Sequence, residues 1–298
     1  MKKTLEIKIT EEMNGLAIKA VLSRCYGLSR REISRLKFSG GIVYNGETAR
    51  VTQPVETGGT LVLTFPDQDT AAAVILSGKP DILYEDQDLV IVNKPAGMPC
   101  HPSHEHLDDD MGTVLQNYYG GQFRVRPVGR LDKDVTGIMV YAKNQPAAAR
   151  LSRQRGEGLL HKEYTALIAG AFEESSGTLT YRLAKVQGRK DRRMSRDGQL
   201  CITDYRTETV CDGFSIVKVS IVTGRTHQIR AGMAGAGHPL LGDRLYGGNM
   251  EMMARPALHC SHLELAQPFT GRRIEINLDL PDDMAAVLNK KTPGSGVK

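Results

Sequence analysis

From residue 81 onward the chain is dominated by short runs with strand character, and this constrains its fold more than any other feature. "DILYEDQDLVIVNK" sets two β-rich runs, 82–84 and 89–93, on either side of a short acidic turn, as a hairpin requires. "GIMVYAK", "EYTALIAGAF", "CITDYRTETV" and "FSIVKVSIV" are further runs rich in β-branched and aromatic residues. Helical windows are fewer: "PAAARLSRQ", and "HQIRAGMAGAG", which should close at Gly235 or Gly237. Strands outnumber helices and hairpins recur. The expected class is α+β, with a mostly antiparallel mixed sheet flanked by helices.

The first 66 residues read as a separate small α+β unit. "TLEIKIT" alternates like an edge strand, and "GLAIKAVLSRCYG" has helical spacing at Leu16, Ala20 and Leu22. "SRREISRLKFSGG" offers Ser29 as a cap, with Ile33 and Leu36 on one face and Arg30, Arg31, Arg35 and Lys37 on others. "GIVYNGETARV" carries an Asn-Gly turn, and "GGTLVLTF" closes the unit. Residues 67–80 read as a linker, 81–285 as the larger domain, and 286–298 as a frayed tail.

Hydrophobic residues make up 40% of the 298 positions, so both units can hold a core. The five cysteines, Cys25, Cys100, Cys201, Cys211 and Cys260, form no C-x-x-C pair. That argues against a disulfide framework or a thiolate zinc site and for a reducing compartment. After "MKK" the charges Glu6, Lys8, Glu11 and Glu12 return before any apolar stretch, so no signal peptide is read. No apolar run approaches membrane-spanning length. A soluble, cytoplasmic, monomeric protein with no membrane partner is expected.

Net charge is +5, unevenly spread. Residues 1–66 hold 10 basic and 6 acidic side chains, and "KVQGRKDRRMSR" (185–196) holds six basic residues and one acid. Local cationic clusters suit a polyanion such as nucleic acid, although solvated surface would read the same way.

Three places could carry chemistry. In "VGRLDKDVTGIMVYAK" (128–143), Asp132 follows Arg130 and Leu131, and Gly129 and Gly137 bracket it where the chain enters an apolar strand. A carboxylate there must find a cation or lose its charge, so it is either an ion-pair partner or a reactive group. "VTGRTHQIRAGMAGAGHPLLGDRLYG" packs Arg225, His227 and Arg230 within six residues. If a helix begins at Thr226, His227 and Arg230 share a face, and Arg230 is a candidate cation for Asp132. "HKEYTALIAG" sets Lys162 and Tyr164 on one face of a strand, where the ring could stack on a base and the hydroxyl relay a proton. "HPSHEH" (His101, His104, His106) and "LHCSH" lack metal-site spacing, so no metal is expected. No phosphate-binding glycine motif is present, and no cofactor is expected.

In order and spacing, "ILYEDQDLVIVNKPAGM", "GRLDKDVTGIMVYAK", "KEYTALIAG", "GRTHQIRAGMAGAGHPLLGDRLYG" and "RPALHCSHLEL" resemble the RluA-type pseudouridine synthases over about residues 81–280. Residues 28–31, Gly41 and "VYNG" (43–46) resemble the small RNA-binding domain first described in ribosomal protein S-four. The first resemblance implies the pseudouridine synthase fold and isomerisation of uridine in RNA without metal or cofactor. It implies Asp132 as the catalytic aspartate, Tyr164 as the active-site tyrosine and Arg230 as the aspartate's partner. Arg130 would help hold RNA with its target base flipped out, and Arg225, His227 and Lys162 would join it. The second resemblance implies RNA contacts from Ser29, Arg30, Arg31 and Lys37. Four positions depart from the family: Gly129 stands where His is usual, Val135-Thr136 where Thr-Ser is usual, and Cys260 where Ala is usual. Large-subunit ribosomal RNA is the expected target, with transfer RNA as an alternative. The competing reading is a non-catalytic RNA-binding or ribosome-assembly protein on the same fold, motivated by Val135. A more distant one, a glycoside hydrolase, needs a second catalytic carboxylate that these motifs do not supply.

Overall fold

The computed structural model describes residues 3–28, 30–65, 79–101, 110–186, 188 and 191–290. The expected cap Ser29 and the expected linker, apart from Lys79 and Pro80, lie outside them.

Residues 3–65 form a four-stranded sheet of β1 (Lys3–Lys8), β2 (Ile42–Tyr44), β3 (Glu47–Thr48) and β4 (Thr60–Phe65), in the order β1-β4-β2-β3. The alternation of "TLEIK" places Leu5 and Ile7 opposite Leu63 and Leu61, with β1 on the edge. Helix α1 (Ile18–Ala20) runs into a π-helical turn at Val21–Cys25, and α2 (Arg30–Phe38) follows. Ile18, Val21 and Leu22 from the first helical stretch, Leu36 from α2 and the inner strand residues make one apolar cluster. Arg30 and Lys37 face solvent on α2.

The larger sheet has eleven strands among the described residues. They are β5 (Ile82–Glu85), β6 (Leu89–Lys94), β7 (Arg126–Val128), β8 (Thr136–Ala142), β9 (His161–Ala169), β10 (Ser176–Lys185), β11 (Arg192–Met194), β12 (Gln199–Cys211), β13 (Phe214–Ile221), β14 (Leu258–Ala266) and β15 (Arg273–Asn277). Their path is β11-β10-β12-β13-β9-β14-β8-β6-β5, with β15 on β14 and β7 on β8. The β8–β14 pair is parallel and the other pairs are antiparallel, so the sheet is mixed and mostly antiparallel. All seven residues of β8 are buried, as a continuous apolar run requires when both faces are covered.

Helices α3 (Met111–Tyr118), α4 (Gln145–Gly156), α5 (Gln228–Gly235) and α6 (Asp282–Lys290) surround the sheet. Asn144 caps α4 by accepting from the Ala147 N–H, and a proline occupies its first turn, so "NQPAAAR" encodes its own helix start. From α4, Arg150 sets its guanidinium 4.8 Å from the ring centre of Tyr26 and 4.4 Å from that of Phe269. Arg153 donates to the Arg24 carbonyl at 3.0 Å. These contacts join residues 3–65 to the larger sheet.

One expectation needs correction. The tail was expected to fray from residue 286, yet α6 runs to Lys290. Its Met284 and Val287 pack with Leu167, Phe214 and Met253, so an amphipathic face buries it. Residues 291–298 lie outside the described residues. Met284 has no exposed surface. Met284→Ala is therefore expected to lower unfolding free energy in a urea melt by about 2–5 kcal/mol. Phe38→Ala, at a side chain 81% exposed, is expected to change it by less than about 0.5 kcal/mol.

Candidate active site

The turn before β8 presents Asp132. Leu131 and Val135 are both buried in the main core, and the Val135 N–H closes the turn on the Asp132 carbonyl at 3.1 Å. Two apolar anchors thus hold the turn and leave the Asp132 side chain 14% exposed between them. Val135, the residue that lacks the usual hydroxyl, serves as one of these buried apolar anchors. Gly129 has φ 77°, a backbone region where a histidine would be strained.

Gly137 fixes where this turn lies. It pairs with Cys260 in the parallel β8–β14 junction, and a Cβ there would fall 2.3 Å from the Cys260 carbonyl oxygen. Only glycine admits that approach. Across the next ladder Cys260 pairs with Tyr164 of β9. The row Gly137–Cys260–Tyr164 therefore sets the tyrosine beside the aspartate's turn. Tyr164 is 4% exposed. Burial, then the charges of Cys260 and Asp132, pushes its phenol well above the usual range, so it stays neutral. Burial likewise raises the Cys260 thiol.

Helix α5 delivers the cation. Arg230 donates through Nη1 to Asp132 Oδ2 at 3.2 Å. It also holds Asp243 in a fork, through Nε at 2.7 Å and Nη2 at 2.8 Å. Asp243 has no exposed surface. Burial alone would lower the Arg230 pKa, but hydrogen bonding and charge from Asp243, then from Asp132, outweigh it and hold the guanidinium protonated.

His227 does not begin the helix as expected. It sits just before α5 in a left-handed conformation, φ 57°. The reason is Gln228, whose Oε1 accepts from the Arg225 N–H and Thr223 Oγ1 while its Nε2 donates to Ile202 and Thr203 of β12. That side chain ties the preceding turn to the sheet and displaces a helical start. His227 still reaches the cluster: Nε2 lies 3.9 Å from Asp132 Oδ2 and Nδ1 lies 3.0 Å from the Tyr246 hydroxyl. Burial lowers its pKa, opposed by Asp132, so the ring is neutral at pH 7. The Tyr246 hydroxyl also accepts from the Arg192 N–H at 2.7 Å, and its ring lies 5.3 Å from the Arg230 guanidinium.

Of the expected residues, Asp132, Tyr164, Arg230 and His227 come together here. Lys162 is half-buried and donates to the Ile138 carbonyl at 3.1 Å. Arg130 and Arg225 are exposed. Arg30 and Lys37 belong to the smaller sheet's helix, while Ser29 and the Arg31 side chain lie outside what is described. Sequence reasoning missed Asp243 and Tyr246, both inside the quoted "GDRLYG". The available signal was an acid between Gly242 and Arg244, 13 residues from the arginine it serves. Among the described residues no three His, Cys, Asp or Glu side chains are placed to hold a metal, and His104 and His106 lie outside them. No helix of the described residues is long and apolar enough to cross a membrane.

A part-exposed carboxylate held by a buried arginine, beside a neutral tyrosine in a mixed sheet, is an arrangement suited to an enzyme. Residues 88–235 match the family model for RNA pseudouridylate synthase. The uncharacterized RNA pseudouridine synthase YjbO of Bacillus subtilis is 33% identical over 268 residues, covering 88% of this chain and 95% of that protein. The ribosomal large subunit pseudouridine synthase D of Zymomonas mobilis is 31% identical, covering 94% of this chain and 95% of that one. The fold is also that of human RNA pseudouridylate synthase domain containing 1, with a TM-score of 0.58 at 23% identity over 72% of this chain and 90% of that chain. The chain belongs to the RNA pseudouridine synthase family, of the RluA type, and is an isomerase.

Removing one partner of a buried pair leaves the other charge uncompensated. Asp243→Asn is therefore expected to cost about 3–5 kcal/mol of stability in thermal or denaturant unfolding. Asp132→Asn, at a part-exposed group whose arginine keeps Asp243, is expected to cost under about 1 kcal/mol.

Proposed function

We propose that this isomerase converts uridine to pseudouridine in large-subunit ribosomal RNA, with Asp132 as the catalytic carboxylate. The observation that carries the assignment is the Asp132–Arg230 contact, a carboxylate left open to a substrate on one side and held by a buried cation on the other. The reaction breaks the bond between the sugar's anomeric carbon and ring nitrogen 1. The uracil turns, a bond forms from that carbon to ring carbon 5, carbon 5 loses its hydrogen as a proton, and nitrogen 1 ends protonated. Asp132 would act at the sugar, by attack on the anomeric carbon or by abstraction of a sugar proton. Tyr164, neutral and beside it, would face the uracil and pass protons. Arg230 would orient Asp132.

The target base must leave its stack to meet a carboxylate in this position, at a cost of a few kcal/mol. The exposed cations Arg130 and Arg225 would offset that cost by holding phosphates, with half-buried Lys162 and the neutral ring of His227 as further polar contacts for the RNA. Residues 1–66 would act as a second RNA-binding unit through Ser29, Arg30, Arg31 and Lys37 on and before α2. Ribosomal RNA is favoured over transfer RNA by the names of full-length relatives such as the Zymomonas protein and by a separate cationic unit suited to a large folded target.

The test is release of tritium from RNA labelled at carbon 5 of uracil, using unmodified ribosomal and transfer RNA. Wild type is expected to release tritium from ribosomal RNA. Asp132→Asn is expected to lose activity by a factor on the order of a thousand or more while RNA binding persists. Release from transfer RNA alone would move the substrate, and unchanged release by Asp132→Asn would remove the aspartate from the mechanism.

A further inference from the structure

Three arginines lie in the second half of α4, and two of them have partners. Arg150 lies over the rings of Tyr26 and Phe269. Arg153 pairs with Glu157 and donates to the Arg24 carbonyl. Arg155 is exposed and, among the described residues, makes no hydrogen bond or ion pair.

The place of Arg155 is set against Gly129. Helix α4 packs on β7, and the chain leaving β7 runs straight into Gly129. A Cβ built on Gly129 would fall 3.0 Å from Arg155 Nη1 and 3.8 Å from its Cδ. The guanidinium thus fills the space that a side chain at position 129 would need. Arg130, Leu131 and Asp132 follow directly, so Arg155 lies against the turn that carries the carboxylate. A second observation places it at the same site. Burial first, then the charges of Cys260, Asp132 and Cys100, raise the Tyr164 phenol, and the charge of Arg155 opposes them. The guanidinium is therefore within electrostatic reach of the hydroxyl beside Asp132.

We propose that Arg155 binds a phosphate of the RNA strand next to the target uridine, and that position 129 is glycine so that this guanidinium can lie over the turn. The proposal rests on Asp132 being the catalytic carboxylate, since that makes this turn the place where the target nucleotide docks. A nucleotide drawn out of its stack brings its flanking phosphates toward the protein with it. There they meet the like charge of Asp132, which a neighbouring cation offsets. Arginine suits the task, because it stays charged and presents a planar fork that matches a phosphate edge. Its donors are not taken by the protein. Arg130, exposed on the same turn, is its neighbour in the task.

Stability does not account for Arg155. A cation in the last turn of a helix gains a little from the helix dipole, and Arg153 already supplies one. Removing an exposed, unpaired side chain changes folding little. A histidine at position 129, usual in the family, has no room while Arg155 keeps this position.

The experiment measures binding of unmodified ribosomal RNA between about 0.05 and 0.3 M salt, each protein also carrying Asp132→Asn to stop turnover. Arg155→Gln is expected to weaken binding about 5–20-fold at about 0.1 M salt. It should also lower the slope of log Kd against log salt by about 0.7–0.9, the value of one phosphate contact. Arg155→Lys keeps the charge and should keep the slope. Arg273→Gln, at an exposed arginine paired with Glu264, should change neither quantity. Without Asp132→Asn, tritium release by Arg155→Gln should show KM raised by the same factor. Its melting temperature should stay within about 2 °C of wild type. Gly129→His should push the guanidinium aside and reproduce the weaker binding and lower slope. Adding Arg155→Gln to it should then weaken binding no further.

An unchanged slope in Arg155→Gln, or losses from Gly129→His and Arg155→Gln that simply multiply, would overturn the proposal. If Gly129→His does not fold, the slope in Arg155→Gln decides it. Inactive Asp132→Asn together with an unchanged slope would overturn this inference and leave the assignment of Asp132 standing. Full tritium release by Asp132→Asn would remove that assignment whatever the slope.

Discussion

Arg230 is the contact on which the site depends. Its guanidinium has donors on fixed bearings, and two carboxylates use different edges of it: Asp243 takes Nε and Nη2, and Asp132 takes Nη1. A lysine could supply the charge but not the planar fork. Asp243 has no other role visible in the geometry than to hold that plane. Its own place is set by backbone bonds in the Gly242–Gly248 turn, where the N–H groups of Tyr246 and Gly248 donate to its carbonyl. The aim of Asp132 is thus inherited from a buried carboxylate across the site.

The sheet brings these parts into reach. β8, β14 and β9 lie side by side, and the parallel step between β8 and β14 is possible because Gly137 admits the Cys260 backbone. Without that junction the turn bearing Asp132 would be displaced along the strand from Tyr164. Helix α5 reaches the same corner from the far end of the sheet, anchored by Gln228 to β12.

Much of this was legible in the sequence, and the reasons are local. Strand periodicity in "GIMVYAK" and "FSIVKVSIV", the acidic hairpin turn and the cap in "NQPAAAR" each carry their cause within a few residues. Asp132 and Arg230 were legible through their motifs. Asp243 was not, because a bidentate partner leaves no periodic mark and its loop reads as an ordinary glycine turn. Lys94 was not singled out in the sequence, since nothing in "VNKP" announces that its ammonium will donate to the Lys133 carbonyl, 39 positions away. His227 misled because a helix start was assigned from spacing, whereas the Gln228 side chain had already claimed the donors of that turn. The tail failed for a similar reason: α6 is held by Leu167 and Phe214, far away in the chain.

The buried charged groups around the site share a physical character. Lys94, Arg230 and Asp243 are placed where burial penalises them, and each persists because specific partners answer it. Apolar burial could not have produced this corner, because it has no preference among directions. What it supplies is β8, buried along its whole length, and the anchors Leu131 and Val135 on either side of Asp132. That support explains how a turn can carry several unfavourable burials at once. The apolar sheet provides stability without direction, and the buried charges provide direction at a cost in stability. The role proposed for Asp132, meeting a flipped-out base in one orientation, needs both.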